Sequence, residues 1–144
     1  MQTLERLGLS VPGFQAPMAG VATPLLAAEV SMAGGLGGLV LGSANPAQAR
    51  AMMAEVRART DRPFNVNLFV HQTPRQDPAR EARWLDWLKP VFAEYGAAPP
   101  EKLSASYTSF LDDPEMMALL LEVRPAVISL HFGLQAAACV PALK

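Results

Sequence analysis

Cysteine is nearly absent from this 144-residue chain, in which Cys139 is the single cysteine. One thiol cannot form a disulfide within the chain, so no internal disulfide stabilises the fold. Such low cysteine use is typical of proteins from a reducing compartment, and we therefore expect a cytoplasmic location. No motif surrounds Cys139, which we expect to be a small buried residue.

Strong charge and long apolar runs are also lacking. Charged residues make up 17% of the chain, the formal net charge is −1, and Lys and Arg are scattered. Without a basic face, binding to nucleic acid or to an anionic membrane surface is not expected. No apolar run approaches the roughly 18 residues of a membrane span, and residues 1–10 lack the apolar core of a secretion signal. A hydrophobic share of 51% instead indicates a folded, soluble domain.

A polar residue followed by proline recurs along the chain and predicts where helices begin. Thr, Asn and Asp side chains cap a first helical turn, and proline at the first helical position loses no hydrogen bond. The pairs are Thr23-Pro24, Asn45-Pro46, Asp77-Pro78 and Asp113-Pro114. They predict helices over about 24–33, 46–59, 78–95 and 114–123, and a further helix is expected from about residue 135. Gly34, Gly96 and Arg124-Pro125 are the expected stops.

Short apolar runs between these helices have the character of strands. They are Phe14–Ala16, Leu36–Leu41, Phe64–Phe69 and Ala126–Leu130. Alternation of strands and helices predicts parallel strands joined by right-handed crossovers. The long segment between the third and fourth runs is interpreted as an elaborated loop, the usual place for a lid or a substrate wall in an α/β enzyme.

The first predicted strand is followed by Pro17-Met18-Ala19-Gly20, and the second begins in the glycine-rich stretch 33–38. A loop with little side-chain bulk lets a large flat ligand approach the backbone closely. A tight turn that needs Gly20 for its backbone angles explains the same residues without a ligand.

Two asparagines occur within one short strand, at Asn65 and Asn67. Residues at i and i+2 of a strand share a face, and asparagine is depleted in strands. A buried amide bonds to its neighbours or to a polar ligand. Asn67 lies nearer the carboxyl end of the strand and is the better ligand candidate, whereas Asn65 is also explained as a satisfied core amide.

Ser129 and His131 share a face near the end of the last predicted strand. Polar residues at strand ends line the site in barrel enzymes, although a lone histidine is also explained as a hydrogen-bonded core residue. The other histidine, His71, follows the third strand and is interpreted as lining the mouth of the site or as solvated.

Two further patterns have structural explanations. Helix capping explains the acidic residues near Pro114, because a metal site would need converging histidines or further carboxylates. These residues are Asp112, Asp113 and Glu115. Helical spacing predicts a packing stripe formed by Trp84, Leu88, Val91 and Tyr95, with Trp87 partly off it.

Three segments together resemble the nitronate monooxygenase family, once called 2-nitropropane dioxygenases, over about residues 11–143. They are the segment 15–20 with its continuation to residue 38, the segment 65–69, and the segment 129–133, where Leu130 replaces an aromatic residue of the family. The resemblance implies a TIM-type (β/α)8 barrel that binds FMN and oxidises alkyl nitronates with O2. It implies that Pro17, Met18, Ala19 and Gly20 lie against the flavin, that Asn67 contacts it, and that His131 faces the substrate side. The family's catalytic base lies in a Gly-His-Arg-Gly segment that this sequence does not contain.

A barrel of this type takes about 250 residues, and four βα units are counted here. We therefore expect residues 1–144 to form the N-terminal part of a single FMN-binding barrel domain, a half-barrel that is inactive by itself. The phosphate loops of such barrels follow the last two strands, beyond the four units counted here. Unpaired strand edges predict a homodimer or a complementing half-barrel as partner.

Two other functions stay open at this point. Related FMN barrels share the first segment, so an FMN-dependent enoyl-acyl-carrier-protein reductase or quinone reductase is one alternative. The other is a half-barrel without catalytic activity that acts as an assembly module.

Overall fold

The computed structural model describes residues 2–134, which form two compact units. The first contains residues 2–72 and 107–134, and the second contains residues 73–106. The helix expected from residue 135 and the burial expected for Cys139 lie outside the described residues. Within these residues, no helix combines the length and the apolarity that crossing a membrane requires.

Strands and helices alternate along the first unit, as the sequence predicts. In chain order its elements are α1 (Gln2–Arg6), α2 (Pro24–Met32), β1 (Gly37–Val40), α3 (Pro46–Arg57), β2 (Phe64–Phe69), a 3-10 helix (Phe110–Asp112), α5 (Pro114–Val123) and β3 (Val127–His131). Helix α4 (Pro78–Glu94) belongs to the second unit. The strands are parallel and lie in the order β1-β2-β3. The sequence analysis did not predict α1 or the 3-10 helix.

The two faces of the sheet have different surroundings. Leu39, Val66 and Leu68 alternate onto one face and are buried in a core with side chains of α2, α3 and α5. The opposite face carries Val40, Asn67 and Ser129, which lie side by side because Val40 pairs with Asn67 and Asn67 with Ser129. Strands in sequential order with helices on one face are the arrangement of a (β/α)8-type barrel. We call the face that carries Asn67 the lumen face.

All four predicted helix starts are confirmed. Each cap side chain accepts a hydrogen bond from a backbone N–H in the first turn of its helix. The bonds are Leu26 N–H to Thr23 (3.1 Å), Gln48 N–H to Asn45 (2.9 Å), Arg80 N–H to Asp77 (3.0 Å) and Met116 N–H to Asp113 (2.8 Å). The predicted stops are also confirmed, with left-handed φ values of 92° at Gly34, 65° at Gly96 and 50° at Arg124. Arg124 precedes proline, which disfavours the right-handed helical conformation there.

The first predicted strand, Phe14–Ala16, is wrong as a strand. It forms one isolated parallel bridge, between Phe14 and Leu36, so the described sheet has three strands and not the four counted from the sequence. Leu36 donates to Gly13 and Gln15 donates to Leu36, each over 2.9 Å. The next donor in such a ladder would be residue 17, which is a proline and has no N–H.

The packing stripe predicted on α4 is wrong within the second unit. Trp84, Val91 and Tyr95 are exposed by 51%, 42% and 83%, and the buried residue of this helix is Leu85. The Trp84 ring stacks on the Trp87 ring, with centroids 4.9 Å apart and planes 16° apart. The two indoles therefore pack against each other across one turn of the helix.

Candidate active site

Gln15 braces the segment that leads into Pro17-Met18-Ala19-Gly20, which we call the first loop. Its side-chain Nε2 donates to the carbonyl of Gly38 and its Oε1 accepts from the N–H of Gly38, each over 3.2 Å. An amide side chain thus makes the two bonds that a strand backbone would make, next to the position where Pro17 lacks a donor. Gly38 is required for this approach, because a Cβ at that position would lie 2.8 Å from the Gln15 carbonyl oxygen.

The first loop is a tight turn with open space beside it. The Met18 carbonyl accepts from Val21 N–H (3.2 Å) and Ala22 N–H (2.8 Å), and Gly20 has a φ of 75°. A methyl group placed on Gly20 would meet no atom within 4 Å. Among the described residues, no group accepts a hydrogen bond from the N–H of Met18, Ala19 or Gly20. The loop therefore offers three backbone donors to a ligand, in addition to satisfying the turn geometry that the sequence indicates.

A cleft of about 340 Å³ lies beside this loop, at the carboxyl end of β1. Three of the four predicted loop residues line it, together with β1 and the start of α3. Its lining consists of Met18, Ala19, Gly20, Ala22, Val40, Ser43, Ala44, Gln48 and Met52. The sequence analysis missed the residues from β1 and α3, because nothing in their local pattern distinguishes them from packing residues.

The two asparagines of β2 converge on one serine of β3. Asn65 Nδ2 donates to Ser129 Oγ over 2.9 Å, and Asn67 Nδ2 donates to Ser129 Oγ over 3.0 Å and to the Ser129 carbonyl over 3.3 Å. The asparagines are exposed by only 7% and 4%. Within the described residues, Asn65 Oδ1 is buried and has no hydrogen-bond partner. The interpretation of Asn65 as a satisfied core amide is therefore wrong.

His131 ends β3 with an exposed side chain, so its interpretation as a core residue is also wrong. Its ring lies edge-on to Phe69, with centroids 6.4 Å apart, and 4.8 Å from the ring of Phe132. The side chain makes no hydrogen bond with the described residues, whereas its backbone carbonyl accepts from Val70 N–H over 2.8 Å. Phe132 follows in the left-handed region, with a φ of 70° and 69% of its surface exposed. Such strain in a bulky residue at a strand end was not visible in the sequence.

Of the acidic residues near Pro114, Asp113 caps α5, as the sequence predicts. Among residues 2–134, no group of three or more His, Cys, Asp or Glu side chains that could hold a metal ion is found. The polar groups that face the first loop and the lumen are backbone N–H groups, amides and a hydroxyl. These neutral dipoles suit a polar organic ligand.

Comparison with known proteins decides the family. The family model for nitronate monooxygenase matches residues 3–144.

The chain belongs to the nitronate monooxygenase family.

Its relatives include the nitronate monooxygenase of Paraburkholderia phytofirmans strain PsJN, which is 54% identical over 141 residues, covering 98% of this chain and 38% of the relative. The nitronate monooxygenase of Pseudomonas aeruginosa PAO1 is 56% identical over 127 residues, covering 88% of this chain and 36% of the relative. The chain thus spans little more than a third of the length of these nitronate monooxygenases.

Solved structures support the barrel fold. The chain resembles a nitroalkane oxidase from Streptomyces ansochromogenes with a TM-score of 0.77 and 29% identity, covering 99% of this chain and 39% of that one. It also resembles FabK (the M276A mutant) from Thermotoga maritima with a TM-score of 0.65 and 22% identity, covering 99% and 35%, a likeness that concerns the fold alone. The predicted fold class, part of a (β/α)8-type barrel, is confirmed, with three strands and one bridge in the place of four strands.

Proposed function

We propose that this chain contributes to the FMN-dependent oxidation of alkyl nitronates by O2, as a nitronate monooxygenase. Residues 1–144 would supply the N-terminal part of a single FMN-binding barrel domain. The observation that carries the proposal is that the first loop, whose backbone N–H groups have no acceptor among the described residues, lines a cleft together with Val40, the residue that pairs in the sheet with the buried Asn67. In a chain of this family, that combination suits a flat and polar cofactor.

The residues present fit an isoalloxazine ring. Such a ring carries carbonyl oxygens and an imide N–H on one edge, so its binding needs both donors and acceptors. Met18, Ala19 and Gly20 offer N–H donors beside open space, and Asn67, whose nitrogen donates to Ser129, leaves its carbonyl oxygen as an acceptor on the lumen face. We therefore assign cofactor binding to Pro17, Met18, Ala19, Gly20 and Asn67. Bound FMN would supply the redox chemistry that passes electrons from the nitronate to O2.

His131 is assigned to the substrate side of the site. Its exposed ring has no hydrogen-bond partner among the described residues and lies beside Phe69 and Phe132. A nitronate carries its negative charge on the nitro oxygens, and an imidazole N–H donates a hydrogen bond to such an oxygen. We therefore propose that His131 holds the nitro group, and we do not assign it as the base.

The proposal includes a partner that completes the barrel. No residue of β3 is fully buried, and the chain spans 38% of the Paraburkholderia relative. A second copy of this chain or a complementing half-barrel would cover the open sheet, and we expect little turnover from the 144 residues alone. For tests of activity we define the complemented enzyme as this chain co-expressed with the part of the Paraburkholderia relative that the match does not cover.

Two glycine substitutions test the cofactor site. Gly20 and Gly96 both have positive φ values, 75° and 65°, and both have open space beside them. Asparagine tolerates this conformation, so either Gly→Asn change adds bulk at low conformational cost. In the complemented enzyme, we expect Gly20→Asn to weaken FMN binding at least tenfold and Gly96→Asn to leave it unchanged, as measured by quenching of FMN fluorescence. Equal affinities for both variants would contradict the assignment of the first loop.

A further inference from the structure

One hydroxyl group fixes two amides on the lumen face. Ser129 lies directly opposite Asn67 in the β2–β3 register and diagonally from Asn65, which is opposite Val127. Its Oγ accepts from both Nδ2 atoms, over 2.9 Å from Asn65 and 3.0 Å from Asn67. Since a hydroxyl oxygen has two acceptor positions, these two donors occupy both of them.

The orientation of the Asn67 amide follows from this contact. Its Nδ2 lies 3.3 Å from the Ser129 backbone carbonyl, which only accepts hydrogen bonds. The nitrogen must therefore face β3, where the hydroxyl and the carbonyl take both of its hydrogens. The oxygen then lies on the side of the amide that faces away from Ser129.

Asn65, two residues before Asn67 in β2, also turns its amide nitrogen toward β3. Its nitrogen faces Ser129, and its Oδ1 is buried without a partner among the described residues. Leaving a buried amide oxygen unpaired costs free energy, so an unpaired one in a native fold calls for a donor. Both amides thus turn their nitrogens toward β3 and leave their oxygens as acceptors.

We propose that Ser129 is a positioning residue that makes the lumen face a site for hydrogen-bond donors. It holds Asn65 and Asn67 with their nitrogens toward β3, so that the carbonyl oxygen of Asn67, the asparagine nearer the carboxyl end of β2, accepts from an N–H or O–H group of the ligand. The inference rests on the proposed flavin site, because the imide N–H of the flavin ring is a donor of this class. Without Ser129, each amide is free to rotate and to present its nitrogen instead.

The positioning role is tested in the chain itself, without any flavin. The side-chain NH2 resonances of Asn65 and Asn67 are followed by hydrogen exchange in ¹⁵N-labelled protein. We expect Ser129→Ala to speed exchange of both NH2 groups about fivefold or more, as the loss of a hydrogen bond implies, and Ser129→Thr, which keeps the hydroxyl, to restore slow exchange. Ser109→Ala is the control, since Ser109 is a buried serine whose hydroxyl accepts from Leu111 N–H and not from either asparagine. Unchanged exchange in Ser129→Ala would overturn the positioning role.

The donor specificity is tested with two flavins that differ in one group. Lumiflavin has the imide N–H, and 3-methyllumiflavin carries a methyl group in its place. The dissociation constants of both flavins are measured in the complemented enzyme. We expect the wild type and Ser129→Thr to bind lumiflavin about fivefold or more tightly than 3-methyllumiflavin, and Ser129→Ala to bind both about equally. A preference that survives in Ser129→Ala would overturn the proposal. If neither flavin binds, the flavin site is contradicted, and the exchange experiment still decides the role of Ser129.

Discussion

Gln15 and Gly38 are joined by two hydrogen bonds of 3.2 Å, through which a side chain makes the pairing that a strand backbone would make. Replacing Gln15 by Ala leaves both backbone groups of Gly38 without these partners. We expect Gln15→Ala to lower the free energy of unfolding by about 1–3 kcal/mol. Urea unfolding followed by circular dichroism measures this change, with Gln72→Ala as the control at an exposed glutamine. Equal stabilities for the two variants would show that the brace contributes nothing.

Because Gly37 has no side chain, the backbone of α2 packs directly against the backbone of β1 at this position. A Cβ at this position would overlap the carbonyl group of Ala27, which is backbone and cannot turn aside. We expect Gly37→Ala to destabilise the chain by about 3 kcal/mol, the upper range for overpacking. Gly13→Ala is the matched control, since its Cβ would have one neighbour, a Val11 methyl carbon at an ordinary 3.7 Å. A melting temperature that falls equally in both variants would contradict this explanation.

Arg50 of α3 and Glu122 of α5 form an exposed pair with N···O distances of 2.6 Å. The hydrogen bonds from Arg50 hold the pKa of Glu122 below its ordinary value, with a smaller contribution from charge attraction. A carboxyl group whose pKa is lower in the folded state adds stability above its unfolded pKa of about 4.3, and this stability is lost as the pH falls through the folded value.

In the Glu122→Gln variant, the free energy of unfolding should therefore fall less steeply than in the wild type as the pH is lowered. The advantage of the wild type should shrink as the pH falls below about 4.3 and vanish below the folded pKa of Glu122, and above about pH 5 the wild type should be the more stable, by a small margin that salt reduces. Urea unfolding from pH 2.5 to 7 measures both curves. Glu29→Gln, at a glutamate without an ion pair among the described residues, should run parallel to the wild type. A difference between Glu122→Gln and the wild type that stays constant or grows as the pH falls from 7 to 2.5 would contradict the sign of this effect.

The chain has two histidines, which provide a matched comparison at the proposed active site. In the complemented enzyme we expect His131→Asn to lower kcat/KM for an alkyl nitronate about tenfold or more, because a donor to the nitro oxygen is weakened. His71→Asn should stay within about twofold of the wild type, since the proposal gives it no contact with the substrate. Oxygen consumption measures both. An unchanged kcat/KM in His131→Asn would remove this residue from the substrate side.

Local signals in the sequence predicted the helices well. A cap and a proline act within one turn, so Thr23, Asn45, Asp77 and Asp113 each determine a helix start whatever surrounds them. The bounds of β2 were likewise predicted, as Phe64–Phe69.

Features that depend on neighbours were not predictable in this way. Whether residues 14–16 form a strand depends on the donor that Pro17 lacks and on the side chain of Gln15 that replaces it. The unpaired oxygen of Asn65 depends on the register that brings Ser129 next to both asparagines. The stripe on α4 followed helical spacing, but spacing alone does not tell which face finds a partner.

The central claim is best tested in the complemented enzyme, purified and supplied with FMN, an alkyl nitronate and O2. We predict about one FMN bound per pair of chains and nitronate-dependent oxygen consumption at an ordinary enzyme rate, on the order of 1–1,000 per second. Reduction of the flavin by NAD(P)H without any response to nitronate would instead indicate a reductase. A stable pair that binds no flavin would indicate an assembly module, and either result would contradict the assignment of this chain to nitronate oxidation.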